Sequence, residues 1–317
     1  LLFAYPLMES ALTTTPTSPS AAHSSTTRYG VVLGAPRSGT TYLMSVLNTL
    51  PTVEALTGTV LPVTIPHVVA KASLSPEVYQ ALAVGFERAL DDYIHSGRYH
   101  NRALALQKWW RAPSGLSGLK QALWGDRSCD LLIYKEPFLS FAPQFVLDAL
   151  PDSHLVHIYR DGRDVANSLV ETYDVLTDAS LMHLRASEMR LGRRVGDRYV
   201  PWWVEPDRNR EFLAASPYVR ALWMWGYMVR RCHEFFSSPE VKESGRVLHL
   251  RYEDLMRQPE EYGTAVLDHL GLDATRGFLR RVRRAHTHSI GRHSSRPSDE
   301  VEAGTRIARD ELALYGY

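Results

Sequence analysis

Two arginines, a lysine and a run of hydroxyl side chains stand at spacings suited to holding an anion. Gly34-Ala-Pro-Arg-Ser-Gly39 lies between an apolar run, Val31 to Leu33, and a segment in which Leu43, Val46, Leu47 and Leu50 recur at helical spacing. A strand that enters a helix through such a loop aims backbone N–H groups and the helix N-terminus at a negatively charged ligand. A version that cleaves ATP or GTP would read G-x-x-x-x-G-K-[ST], its lysine reaching the β/γ-phosphates and its hydroxyl holding magnesium. Gly34 and Gly39 keep that spacing, but Thr40 occupies the lysine position and the cation is Arg37. The loop therefore suits a terminal phosphate without metal-dependent triphosphate chemistry.

A second anion site is written in Ile158-Tyr-Arg-Asp-Gly-Arg-Asp-Val-Ala-Asn-Ser168. A strand ends at Tyr159, Asp161-Gly162 turns the chain, and Asp164 is placed to cap the helix that follows. In a parallel α/β sheet, ligands bind beyond the carboxyl ends of the strands. Arg160 thus projects toward the crevice of the Arg37 loop, and an arginine paired with the Ser168 hydroxyl suits a phosphate monoester. Taken alone, Arg-Asp-Gly-Arg-Asp also describes a solvated turn with local ion pairs; its register with the first loop favours the ligand site.

These residues need a parallel sheet to bring them together. Strands are expected at Val31–Leu33, Leu131–Tyr134, His154–Tyr159 and Val247–Arg251, with helices from near Pro143, from Asp164, from Ser216-Pro217 and from Pro259 to Gly271. Short connections imply right-handed crossovers, and the fold class is α/β: a P-loop-like central parallel sheet flanked by helices. Residues 54–107 read as helix and loop, and 174–216 as a polar, arginine-rich insertion forming one wall of a pocket. Residues 1–27 are Ser/Thr/Pro-rich without a periodic apolar face, an expected disordered arm, with one domain over 28–317.

A net charge of +1 points to neither nucleic acid nor a membrane surface as partner, and no apolar run approaches the length needed to span a bilayer. The sequence does not begin with methionine, so a removed upstream segment fits it; a cytoplasmic location is favoured, with a secretory lumen as the alternative if an anchor preceded it. Cys129 and Cys232 cannot make a disulfide framework.

Pro36-Arg-Ser-Gly-Thr-Thr41 together with Tyr159-Arg-Asp-Gly-Arg-Asp-Val-Ala-Asn-Ser168 resembles the signature of sulfotransferases that use 3′-phosphoadenosine 5′-phosphosulfate (PAPS) and release 3′,5′-adenosine bisphosphate (PAP). The resemblance implies that Arg37, Ser38, Gly39, Thr40 and Thr41 cradle the 5′-phosphosulfate, while Arg160 and Ser168 hold the 3′-phosphate. Tyr134-Lys-Glu-Pro-Phe138 and Arg251-Tyr-Glu-Asp-Leu255 are similar to further family segments, and Ser289-Ile-Gly-Arg292 to the loop that closes over the nucleotide, bringing in Ser289, Gly291 and Arg292. Arg37, in place of the lysine common in cytosolic members, favours the carbohydrate, tyrosylprotein and bacterial branch.

Sulfuryl transfer places growing negative charge on the bridging oxygen of the leaving bisphosphate, where a fixed cation and a helix N-terminus act on the transition state. Arg37 is the first candidate cation and Lys135 the second; no metal is called for. A hydroxyl acceptor also needs its proton removed. Tyrosylprotein sulfotransferases use a glutamate beyond the loop, where this chain has Thr57-Gly58 with Glu54 just before; cytosolic members use a histidine after a lysine, where Lys135 is followed by Glu136. Glu136 is therefore the first candidate base, with Glu54 and His67 as alternatives, and it serves equally as a structural partner of Lys135 or Arg37.

His286, His288 and His293 lack a carboxylate or cysteine to complete a metal set. The arginines between Asp273 and Asp299 read mostly as a solvated helix face, Trp223 and Trp225 as core, and Trp202-Trp203 as candidates to stack on an acceptor. The rival readings are a P-loop nucleotide kinase, opposed by Thr40, and a non-catalytic PAP-binding domain. The acceptor stays open among a small molecule, a glycan and a tyrosine peptide.

Overall fold

Five short runs become one parallel sheet in the computed structural model, which describes residues 28–58, 61–95, 99, 101–111, 115–124, 129–173 and 175–317. The arm expected over 1–27, and Asp174 at the start of the expected insertion, lie outside the described residues. The strands are β1 (Arg28–Leu33), β2 (Val53–Thr57), β3 (Leu131–Lys135), β4 (His154–Tyr159) and β7 (Val247–Arg251), in the order β2-β3-β1-β4-β7. A separate antiparallel pair is formed by β5 (Arg193–Val195) and β6 (Arg198–Val200).

The strands read as continuous apolar runs because both faces of the sheet are covered. Side chains alternate along β1. Val31 and Leu33 join Phe86 and Leu90 of the helix Pro76–His95 and Phe145 of the helix Pro143–Ala149. Val32 points the other way, to Leu43 and Leu47 of the helix Thr40–Leu47 and Val266 of the helix Pro259–Leu270. Pro143 opens its helix as expected, and Gly271, at φ 62°, ends the last of these in a left-handed cap.

Three expectations are corrected. Residues 54–57, at the start of the stretch 54–107 expected as helix and loop, belong to edge strand β2, with Thr57 opposite Lys135. Glu54 obscures the pattern: its buried charge is met by Lys108 and by Tyr93 OH, which donates at 2.6 Å. Asp161, not Asp164, caps the helix Gly162–Thr172, because its non-helical backbone lets the carboxylate accept from Arg163 N at 2.9 Å. Asp164 already lies within the helix and its buried carboxylate accepts instead from Gly291 N and His293 N.

The third correction concerns the stretch read as a polar wall. It carries a core of its own, in which Val200, Trp203, Val204 and Phe212 pack with Trp223 and Trp225 of the helix Pro217–Phe236. Arg220, 1% exposed, ties the stretch down by donating to the carbonyls of Phe212, Leu176 and Leu213 and to Asp178. Trp202 and Trp203 are 7% and 2% exposed and belong to this packing, so neither presents a face for stacking on an acceptor. Trp202 Nε1 donates instead to His67 Nδ1 at 3.1 Å, joining the stretch to the helix Thr64–Lys71.

Candidate functional site

The loop between β1 and the helix Thr40–Leu47 lies at the carboxyl edge of the central strand. That helix starts at Gly39, φ 97°, without a side-chain cap, and its first intrahelical bond runs from Leu43 N to Gly39 O. The amides of Thr40, Thr41 and Tyr42 therefore keep their donors for something outside the helix. Gly39 is required by space as well as by backbone: a Cβ there would come within 2.4 Å of the Tyr252 ring. Ser38 is fully buried, and its hydroxyl has no hydrogen-bond partner among the described residues. A buried hydroxyl facing a loop of open donors fits an anion that brings its own acceptors.

Arg37 adopts φ 72°, a left-handed conformation unusual for arginine. The carbonyl so turned accepts from Arg160 Nη1 at 3.0 Å, which offsets part of the strain. The Arg37 side chain reaches across to Ser168, donating from Nε to Oγ at 2.9 Å, and lies over the ring of Tyr173. Arg37 and Ser168, assigned by resemblance to opposite ends of the donor, are thus in direct contact here.

Arg160 is 5% exposed and is gripped on several sides. Its guanidinium stacks on Tyr252, with Cζ 4.7 Å from the ring centroid, and Nη2 donates to the Ser289 carbonyl. Tyr252 OH and Ser289 Oγ share a hydrogen bond at 2.7 Å. Asp164 lies 3.7 Å from Arg160 and accepts from Gly291 N at 2.7 Å and from His293 N at 3.0 Å. Burial works to raise the Asp164 pKa, but the His293 ring, the two amides and Arg160 outweigh it and hold the carboxyl below its usual range. The Ser289–Arg292 loop is thereby latched over the Arg160 turn. The Arg292 side chain is turned to Glu171, 3.7 Å away.

Across the loop, Lys135 Nζ donates to Thr41 Oγ1 at 2.9 Å. Burial lowers the lysine's pKa, Glu136 raises it and nearby Arg37 lowers it again. Arg37 and Lys135 are therefore close enough to repel, an arrangement relieved by an anion between them.

The three candidate bases have different surroundings. Glu136 is buried; Oε1 accepts from Phe138 N at 3.1 Å and caps the 3-10 turn Pro137–Phe141. Burial raises its pKa against the pull of that amide and of Lys135. His67 has no exposure and packs against Phe138 and Phe141; because Trp202 donates to Nδ1, its proton sits on Nε2. Burial also lowers its pKa to about 4, so the neutral ring is a donor with no free lone pair. Glu54 is engaged by Lys108 and Tyr93, three residues before the end of β2.

Tyr252, Glu253, Asp164 and Tyr173 join this site without a signal in the sequence that places them there. Arg251-Tyr-Glu-Asp-Leu255 was a visible segment, but nothing in it says which strand end it will cover. Among the described residues, no group of three or more His, Cys, Asp or Glu side chains is arranged to hold a metal ion. No helix among them is long and apolar enough to cross a membrane.

A glycine loop at the central strand of a parallel sheet, an uncapped helix start and converging cations are the features of an α/β protein of the phosphate-loop type. The chain belongs to the Sulfotransferase family, whose model matches residues 31–276. No curated protein matches it in sequence. Among solved structures, it is similar to the sulfotransferase domain of the Synechococcus PCC 7002 olefin synthase, at 18% identity and TM-score 0.46, covering 92% of this chain and 95% of that one. The sulfotransferase domain from the curacin biosynthetic pathway matches at 15% identity and TM-score 0.45, covering 92% and 98%. Sulfotransferase STF9 from Mycobacterium avium matches at 17% identity and TM-score 0.44, covering 92% and 77%.

Proposed function

We propose that this sulfotransferase moves a sulfuryl group from PAPS to an acceptor hydroxyl. The observation that carries the reading is the convergence of Arg37, Lys135, Arg160 and Ser168 around a helix start whose lysine position is Thr40. The residues fit such a donor: Ser38 Oγ and Arg160 Nε are buried polar atoms without partners among the described residues. PAPS supplies a sulfuryl group on a phosphate leaving group.

Arg160 and Ser168 bind the 3′-phosphate, with Tyr252 and the Ser289–Arg292 loop holding Arg160 in place. Ser38 binds the 5′ end through its hydroxyl, and Gly39, Thr40 and Thr41 through amides and hydroxyls, and the helix start favours the negative charge. Arg37 and Lys135 stabilise the charge that grows on the bridging oxygen; Arg37 acts electrostatically, since it keeps its proton. Glu136, whose burial makes it a stronger base than an exposed carboxylate, takes the acceptor proton. The acceptor is a small molecule, a glycan or a peptide hydroxyl.

Calorimetric titration with PAP and, separately, with ATP and magnesium tests this on the wild type and Arg160→Ala. The expected result is binding of PAP alone, weakened about a hundredfold in the variant through loss of a bidentate arginine contact. Preference for ATP, or indifference to Arg160, would return the loop to a nucleotide kinase. PAP binding without transfer of label from PAPS to any acceptor would favour a non-catalytic binding domain.

A further inference from the structure

Tyr317 stands outside every loop described above, yet its phenol ends on the residue that holds the Arg160 turn. Its hydroxyl donates to Glu253 Oε2 at 2.7 Å, and Glu253 Oε1 accepts from Asp161 N at 3.0 Å. Glu253 is 3% exposed, so bulk water does not replace a donor that is removed. The Nε of Arg251 is 3.7 Å from Oε2, beyond hydrogen-bonding distance, and its guanidinium lies over the Tyr317 ring, 4.4 Å from the centroid.

The segment that presents Tyr317 is anchored. Tyr317 N donates to Leu312 O at 3.0 Å, and Tyr315 packs on Tyr159 at the end of β4 with centroids 4.6 Å apart. Burial, followed by Glu253, raises the Tyr317 pKa far above its usual value, so the phenol remains a donor at any working pH.

The Tyr252-Glu253 pair therefore holds the Arg160-Asp161 pair from both sides. Tyr252 covers the guanidinium, and Glu253 holds the next amide. We propose that Tyr317 is a positioning residue for the donor site: by donating to Glu253 it keeps that carboxylate turned toward the Asp161 amide, and so fixes the turn that aims Arg160 into the crevice. The role rests on the donor site proposed above.

Two measurements test it on the full chain, comparing wild type, Tyr317→Phe and Tyr315→Phe. The first is hydrogen exchange at the Asp161 amide in ligand-free protein; the second is PAP affinity with the donor KM and kcat. Tyr317→Phe is expected to speed the exchange and to weaken PAP binding about tenfold, the loss of one hydrogen bond to a buried charge. The donor KM should rise by a similar factor, with a smaller change in kcat. Tyr315→Phe removes a hydroxyl from the same segment without touching Glu253 and should do neither. In a Glu253→Gln background, removing the Tyr317 hydroxyl should have little further effect.

Equal effects of the two phenylalanine variants would reduce Tyr317 to general packing and overturn the proposal. Faster exchange with unchanged PAP affinity would overturn the positioning role while leaving the donor site intact. Wild-type protein that fails to bind PAP would overturn the donor site and the positioning role together.

Discussion

Ser38 carries the sharpest residue-level test of the proposed donor site. Its hydroxyl is fully buried without a partner among the described residues, so in the ligand-free protein it contributes desolvation cost and little else. Ser38→Ala is therefore expected to leave the melting temperature unchanged or slightly raised while weakening PAP binding by about tenfold. Calorimetry beside a thermal melt checks both halves; a large loss of stability with unchanged affinity would show that Ser38 is structural. Glu136 makes the second prediction at this scale. A base must be ionised, so the rate should fall as pH falls through the Glu136 pKa, and burial places that limb above the usual carboxylate range. Glu136→Gln should remove the limb and lower kcat by about a hundredfold to ten-thousandfold. A pH–rate profile at saturating donor decides it, and an unchanged profile would exclude Glu136 as the base.

The elements matter because each side chain proposed for catalysis sits at or just beyond the end of a strand. Arg37, Lys135 and Arg160 follow or close strands β1, β3 and β4, which are adjacent and parallel, so three segments far apart in the chain deliver their cations to one edge. At Gly39 the helix start meets the ring of Tyr252 without room for a side chain. Gly39→Ala would place a methyl 2.4 Å from the ring on a backbone at φ 97°. The expected cost is about 1–3 kcal/mol of stability, with PAP affinity falling because Tyr252 must leave Arg160. Denaturant unfolding and titration of the same sample check it, and retained affinity would show that Tyr252 does not hold the arginine.

Across the whole molecule, buried histidines link stability to pH. Burial, then His249, pushes His157 down to about 3, and its ring lies against Tyr159, Phe236 and Tyr315. In the unfolded chain, the same histidine protonates near its ordinary value of 6.5. Between those values the unfolded state binds more protons, so the stabilisation is fully present above the unfolded value and is lost as pH falls toward the folded one. His67, lowered to about 4 by burial, acts in the same direction. Melting temperatures are expected to drop by several degrees between about pH 7 and about pH 5, and His157→Phe should flatten that slope. Equal slopes in the two proteins would assign the pH dependence to other groups.

Both anion motifs, strands β1, β3, β4 and β7, and the helices after Pro143, Pro217 and Pro259 were legible in the sequence because each is specified locally. Apolar runs, glycine spacing and proline at a helix start act within a few residues. What the sequence left open depended on contacts between distant segments. β2 was hidden by Glu54, whose charge is acceptable in a strand only because Lys108 and Tyr93 come from elsewhere. Trp202 and Trp203 read as surface because the core that buries them is built from Phe212, Trp223 and Trp225 across a helix pairing. Asp164 read as a cap because the loop carrying Gly291 and His293, which its carboxylate holds, follows 127 residues later. The residue types at the strand ends can be read without the fold, since side-chain type and local turn geometry are encoded in short stretches. Which groups share the crevice was settled by the fold, because hydrogen bonds between segments far apart in the chain select the partners of Arg160 and His67, and burial raises the basicity of Glu136.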